Sequence, residues 1–115
     1  MKATPIPKRS RELVKARERF RCARCQIPSP NGHWHHRRSR SVRDSHTHCP
    51  CNGVWLCSTC HTWAHKNPVE AREEAGLILY RTNSAPHLFP FKTPTGWVLP
   101  NCDGGWTVEI GRAHV

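Results

Sequence analysis

The sequence predicts a small α+β domain whose core is held by a metal staple and followed by a short β-rich extension. Three observations predict it. The chain has 115 residues, enough for one domain and too few for two of ordinary size. Only 37% of them are hydrophobic, with 7 Gly and 10 Pro and no long apolar run, so the core is thin and gains from a cross-link. Four of the 7 cysteines form two Cys-x-x-Cys pairs, Cys22 with Cys25 and Cys57 with Cys60. Zinc takes four thiolates in a tetrahedron, and a two-residue spacer lets one tight turn present two sulfurs to one ion. Coordination then supplies folding energy directly.

The start, MKATPIPKRS, carries basic residues and no apolar segment after them. A reducing, cytoplasmic setting is therefore the expectation, in which paired cysteines read as metal ligands rather than disulfides. No stretch approaches the ~20 apolar residues of a membrane span, so a soluble protein is expected. Cys49, Cys51 and Cys102 stand outside the two pairs and are read as free thiols.

Along the chain, residues 1–10 read as a basic flexible arm. Ser10 is a capping candidate for a helix over about residues 11–19, with Leu13, Val14, Arg17 and Phe20 at helical spacing. Pro28, Pro30, Asn31 and Gly32 mark a turn after the first cysteine pair, and residues 33–37 make a brief strand. Residues 39–50 are polar and read as a loop. Val54 to Leu56 form a short apolar segment leading into a helix over 58–66 that ends at Asn67-Pro68. Pro68 starts a further short helix through Ala75, with Gly76 as its stop. A strand is expected at 77–81 and a hairpin from 97–99 and 106–110 around a glycine-containing turn. The domain boundaries predicted are 1–10 for the arm, 11–76 for the stapled domain and 77–115 for the extension, read as a packing or partner surface.

Charge is unevenly distributed. Residues 1–66 hold 14 Lys/Arg against 3 Asp/Glu, whereas residues 67–115 hold 4 against 5. The basic half also carries seven of the 9 histidines. Basic charge gathered around a site attracts a polyanion, and nucleic acid is the usual one. Trp34, Trp55 and Trp63 are candidates for stacking on bases, with packing favoured for Trp55 and Trp63.

His61 and His65 are four residues apart and share one face of the expected helix. A zinc already closed by four cysteines has no need of them. His35 and His36 are neighbours on a strand and point to opposite faces, so one can join an ion with His61 and His65 while the other acts as a base.

Cys22-x-x-Cys25, His35-His36, Asn52 and Cys57-x-x-Cys60-His61 fall in the order seen in zinc-stapled HNH endonucleases, and the chain resembles that family over roughly residues 20–66. The resemblance implies a ββα-metal core, a hairpin and a helix around one catalytic divalent ion (Mg2+, Mn2+, Ni2+ or Zn2+), beside the structural Zn2+. It implies that His36 is the general base, His35 and His61 ligate the catalytic ion, and His65 is a third ligand. Asn52 is then the residue bracing the loop that presents the base. The products implied carry 5′-phosphate and 3′-hydroxyl ends. Small free-standing members of this kind are common in bacteriophages, so the resemblance also implies a phage setting, a bacterial cytoplasm and a terminase partner.

The substrate expected is double-stranded DNA, bound with weak sequence preference and with no small-molecule substrate. Arg37, Arg38, Arg40 and Arg43 flank the base and are the candidates for phosphate contact. The family's acidic residues are sparse here: between Cys22 and Cys60 only Asp44 is acidic. The competing reading is a non-catalytic zinc-stapled DNA-binding or adaptor domain.

Overall fold

The structure is a computed structural model, and it describes residues 5–108. Helix α1 spans Lys8–Arg17. It starts earlier than expected because Pro7 (φ −58°, ψ 140°) sets the entry and its carbonyl accepts from the Arg11 amide at 3.1 Å. Ser10 therefore lies inside the helix instead of capping it. Residues 8–10, expected in the arm, belong to α1, and Ile6 packs against Val14, Trp34 and Trp55. Residues 1–4 lie outside the described chain. Past the helix, Arg19 and Phe20 both take positive φ (57° and 61°), which turns the chain sharply into the first cysteine pair.

Strands β1 (His33–His36) and β2 (Gly53–Leu56) pair antiparallel, with His35 opposite Val54 and His36 opposite Gly53. β2 is buried along its whole length. Helices α2 (Ser58–Lys66) and α3 (Pro68–Glu73) follow. Val54 and Leu56 of β2 and Cys60 and Ala64 of α2 share one core with Ala71, Leu77, Phe91 and Val98. The apolar residues of the hairpin thus meet one stripe of α2, which places β1 and α2 beside each other.

The 77–81 segment forms no strand. The Leu79 amide donates to the Arg37 carbonyl at 2.8 Å, while the Leu77 carbonyl is taken by the His35 side chain, so no ladder continues. The hairpin expected near the C-terminus is present as β4 (Gly96–Pro100) and β5 (Trp106–Val108). A third strand, β3 (Phe91–Thr93), pairs with β4 on its other side. Residues 109–110 of the expected second strand lie outside the described residues.

Arg37 bolts this extension to the rest. Its side chain is fully buried, with Nε donating to the Gly76 carbonyl at 2.9 Å and Nη1 to those of Cys51 and Pro86 at 3.3 and 3.2 Å. Nη2 reaches the carbonyls of Phe89 and Pro90 at 2.7 and 2.9 Å. Burial pushes its pKa down to about 9, so it remains a cation at neutral pH. The expected phosphate contact by Arg37 is corrected: five backbone acceptors occupy its guanidinium. Gly76 has φ +65°, and a Cβ there would lie 2.3 Å from the Pro90 carbonyl oxygen, so glycine is required where the extension crosses the domain.

Among the described residues no helix is long and apolar enough to cross a membrane.

Candidate functional site

The four cysteines of the two pairs converge. Cys22 and Cys25 lie on the turn after α1, which closes through Cys22 N–H to the Ile27 carbonyl (3.0 Å) and Gln26 N–H to the Cys22 carbonyl (2.9 Å). Cys57 caps α2, its sulfur accepting from the Cys60 amide at 3.4 Å. All four sulfurs lie within 4.8 Å of one another, and the Cys25–Cys57 pair is 3.8 Å apart. A tetrahedral zinc with ~2.3 Å bonds has sulfur–sulfur edges of about 3.8 Å. The donor set and its spacing fit, so this cluster could hold a structural metal such as zinc. Arg24 lies 3.7 Å from the centroid of the Trp63 ring and donates to the Cys60 sulfur at 3.4 Å, placing positive charge beside the thiolates.

A second group, His35, His61 and His65, also brings its ligand nitrogens within 4.8 Å. β1 supplies His35 and one face of α2 supplies the other two, whose Nε2 atoms are 3.1 Å apart. Tetrahedral Zn–N bonds of ~2.0–2.1 Å imply nitrogen–nitrogen edges of about 3.3 Å. His35 Nε2 faces the Leu77 carbonyl at 2.5 Å, while its Nδ1 is buried with no hydrogen-bond partner. A carbonyl can only accept, so the proton is fixed on Nε2 and the Nδ1 lone pair is left without a partner. That is how a ligating histidine is commonly oriented. Burial, then the neighbouring charges of His61 and His65, push the His35 pKa down to about 3. It is therefore neutral and ligand-competent at pH 7. His33 stacks on His61 at 5.1 Å and shares a hydrogen bond with Ser58 Oγ at 3.1 Å, which fixes the His61 ring from its other side.

The two groups differ in closure. Four cysteines would complete a tetrahedron around an ion, whereas three histidines, of which His65 is exposed, would leave one position of an ion held there open. The histidines line an open cavity of about 530 Å³ together with His36, Arg40 and Arg81.

His36 sits at the end of β1, its ring edge-on to Trp34 and its Nε2 3.1 Å from His48 Nδ1. Burial, then the charges of His48 and Arg40, push its pKa down to about 4, so it too is neutral at pH 7. Asn52 is fully buried. Its Oδ1 accepts from the Arg38 amide at 2.7 Å, and its Nδ2 donates to the carbonyls of Arg38 and Thr47 at 3.1 and 3.0 Å. One side chain thereby clamps both ends of the loop that follows His36.

Two further assignments need correction. Arg38 is buried, pairs with both Asp44 oxygens at 2.7 and 2.8 Å, and reaches the Asn83 and Ser84 carbonyls; it braces the loop and is not displayed to a phosphate. Trp34 is buried against Val14 and Trp55, so it offers no face for base stacking. Arg40 and Arg43 are exposed. Both line a second cavity of about 430 Å³ with His48, and Arg40 borders both cavities.

Among the site residues that sequence reasoning left out, with His33 and Arg81, is His48. It lies twelve positions beyond His36 across an irregular loop, and only the folding of that loop brings the rings together. Asp44, the one acidic residue between Cys22 and Cys60, is paired with Arg38. The chain matches no known protein family, no curated protein and no solved structure, so its functional reading stands on these side chains.

Proposed function

We propose that the chain is a metal-dependent DNA endonuclease built on a ββα-metal core of the HNH type. The observation carrying the proposal is the buried, partnerless Nδ1 of His35 beside His61 and His65, with a neutral His36 on the same arginine-bordered cavity. A buried polar atom without a partner is costly, and an ion at this nitrogen resolves the cost.

Arg40 and Arg81 hold the phosphodiester by charge, without reading sequence. His36 takes a proton from the attacking water. In the tautomer with the proton on Nε2, shared with His48 Nδ1, the lone pair for that task is on Nδ1. Its depressed pKa makes it a weak base in the free protein, but an incoming phosphate brings negative charge next to the ring, which raises the pKa toward the working pH. Asn52 keeps the loop after His36 from shifting. A divalent ion, when bound, stabilises the negative charge that develops on the phosphate and leaving oxygens. The water oxygen bonds to phosphorus, the bond to the 3′ oxygen breaks, and that oxygen is protonated, giving 5′-phosphate and 3′-hydroxyl ends. The four-cysteine cluster, loaded with zinc, is the staple that fixes α2 and therefore His61 and His65. A bacteriophage setting, with a terminase as partner, belongs to the same reading by resemblance.

The test is incubation of the zinc-loaded protein with supercoiled plasmid and Mg2+, Mn2+, Ni2+ or Zn2+, with end mapping. Nicking is expected with at least one ion and is lost in His61→Ala. Sustained absence of nicking with every ion, while DNA binding is intact, leaves the adaptor reading in its place.

A further inference from the structure

The three cysteines left over from the two pairs are not scattered. Cys49 and Cys51 flank Pro50 at the start of a short 3-10 turn (Pro50–Asn52), and Cys102 sits in the turn between β4 and β5. With His46 they bring four ligand atoms within 4.8 Å of one another. The His46 Nδ1 lies 3.6 Å from the Cys51 sulfur and 3.8 Å from that of Cys102. A tetrahedral zinc with ~2.3 Å bonds to sulfur and ~2.0–2.1 Å bonds to nitrogen has sulfur–nitrogen edges of about 3.6 Å. The spacing is that of ligands around one ion.

We infer that His46, Cys49, Cys51 and Cys102 form a second structural zinc site, of Cys3His type, which ties the C-terminal hairpin to the loop between β1 and β2. On this inference the three thiols expected to be free are metal ligands instead. Local structure on both sides aims the ligands. The Cys49 amide donates to the His46 carbonyl at 3.2 Å and the Asn52 amide to that of Cys49 at 2.9 Å, which curls His46, Cys49 and Cys51 around one point. Across from them, Asn101 Oδ1 accepts from the amides of Asp103 and Gly105 at 2.9 and 3.0 Å, forming a side-chain-closed turn that carries Cys102 outward. Neither half has enough ligands alone.

The chemistry favours zinc over its rivals. Three thiolates and an imidazole are a soft, nitrogen–sulfur set of the kind zinc takes in closed structural sites. All seven cysteines then have a metal, four in one site and three in the other. The hairpin gains a cross-link where its own packing is slight: all three residues of β5 are exposed. Cys51 immediately precedes Asn52, so the second ion would also steady the residue that clamps the loop beside His36. The inference does not depend on nuclease activity.

The test is zinc released by a thiol-specific mercurial from protein purified under reducing, chelator-free conditions, since the mercurial empties thiolate sites and not a histidine site. About two equivalents per chain are expected from the wild type, and about one from Cys102→Ser and from His46→Ala. Both variants should keep the four-cysteine zinc. Cobalt substitution gives a second readout, with thiolate-to-cobalt absorption corresponding to seven sulfurs in the wild type and four in His46→Ala. One equivalent from the wild type, with three thiols open to alkylation, overturns the inference. So does an intact mass showing a disulfide among Cys49, Cys51 and Cys102. The wild-type count decides the matter even if a variant fails to fold.

Discussion

Asn52 and Arg38 exchange two hydrogen bonds through one side-chain amide, Oδ1 taking the Arg38 N–H at 2.7 Å and Nδ2 giving to the Arg38 carbonyl at 3.1 Å. The amide thus acts as a strand edge for a residue that has left the hairpin. Because the third bond goes to Thr47, the loop carrying Arg40 and Arg43 is gripped at both ends. Asn52→Ala strands the Arg38 amide and two carbonyls in a dry environment. The expected cost is about 2–3 kcal/mol of stability, read by urea unfolding of the zinc-loaded protein. An unchanged midpoint would remove Asn52 from this role.

The arginines divide into two sets that a salt titration separates. Arg40→Ala and Arg81→Ala, taken singly, should weaken DNA binding with little effect on folding, each lowering the slope of log affinity against log salt by about 1. Arg37→Met should leave that slope alone and destabilise the fold, since five carbonyls lose their common donor and each buried acceptor left unsatisfied costs about 1–3 kcal/mol. A reduced salt slope for a folded Arg37→Met protein would mean that this guanidinium reaches DNA after all.

Protonation of the buried histidines opposes folding. The His35 pKa is about 3 in the folded chain and about 6.5 unfolded, so between those values the unfolded state binds the extra proton. Stability therefore falls as pH drops below about 6.5, at up to about 1.4 kcal/mol per pH unit from this residue. His35→Asn should flatten the slope between pH 6.5 and 5.5 in protein free of any ion at the histidines. Parallel slopes for wild type and variant would show that His35 is already charged when folded.

His48 holds the His36 ring and, through its own charge, is one of the groups that lower the His36 pKa. His48→Phe should reduce the cleavage rate about 10–100-fold, the range seen when a partner orienting a site histidine is removed. The acid limb of the rate profile should also move to higher pH, because part of the depression is relieved. A slower variant with an unmoved acid limb would assign His48 to packing alone.

Much of this arrangement was legible in the residues. The two cysteine pairs, β1, α2 and the His61-His65 pair follow from spacing, because two-residue spacers, strand alternation and an i, i+4 helix pair are local rules; that His35 and not His36 joins the pair was implied only by the resemblance. Arg37 and Arg38 were misread for a physical reason: a run of arginines looks solvated, and only the fold reveals that Arg37 faces five carbonyls and Arg38 faces Asp44. His48 and the His46, Cys49, Cys51 and Cys102 cluster were missed because loop closure and a contact 51 residues away in sequence leave no periodic trace. The 77–81 segment has a strand's composition, but its edge meets the His35 side chain instead of a backbone partner.

The most direct test of the central claim is the rate of plasmid cleavage by His36→Ala, compared with the wild type at matched DNA occupancy and matched uptake of the ion at the histidines. Loss of a general base predicts a fall of about 10²–10⁴-fold, with the fold, the cysteine-bound zinc and DNA affinity unchanged. Cleavage by a folded His36→Ala protein at the wild-type rate would contradict the account.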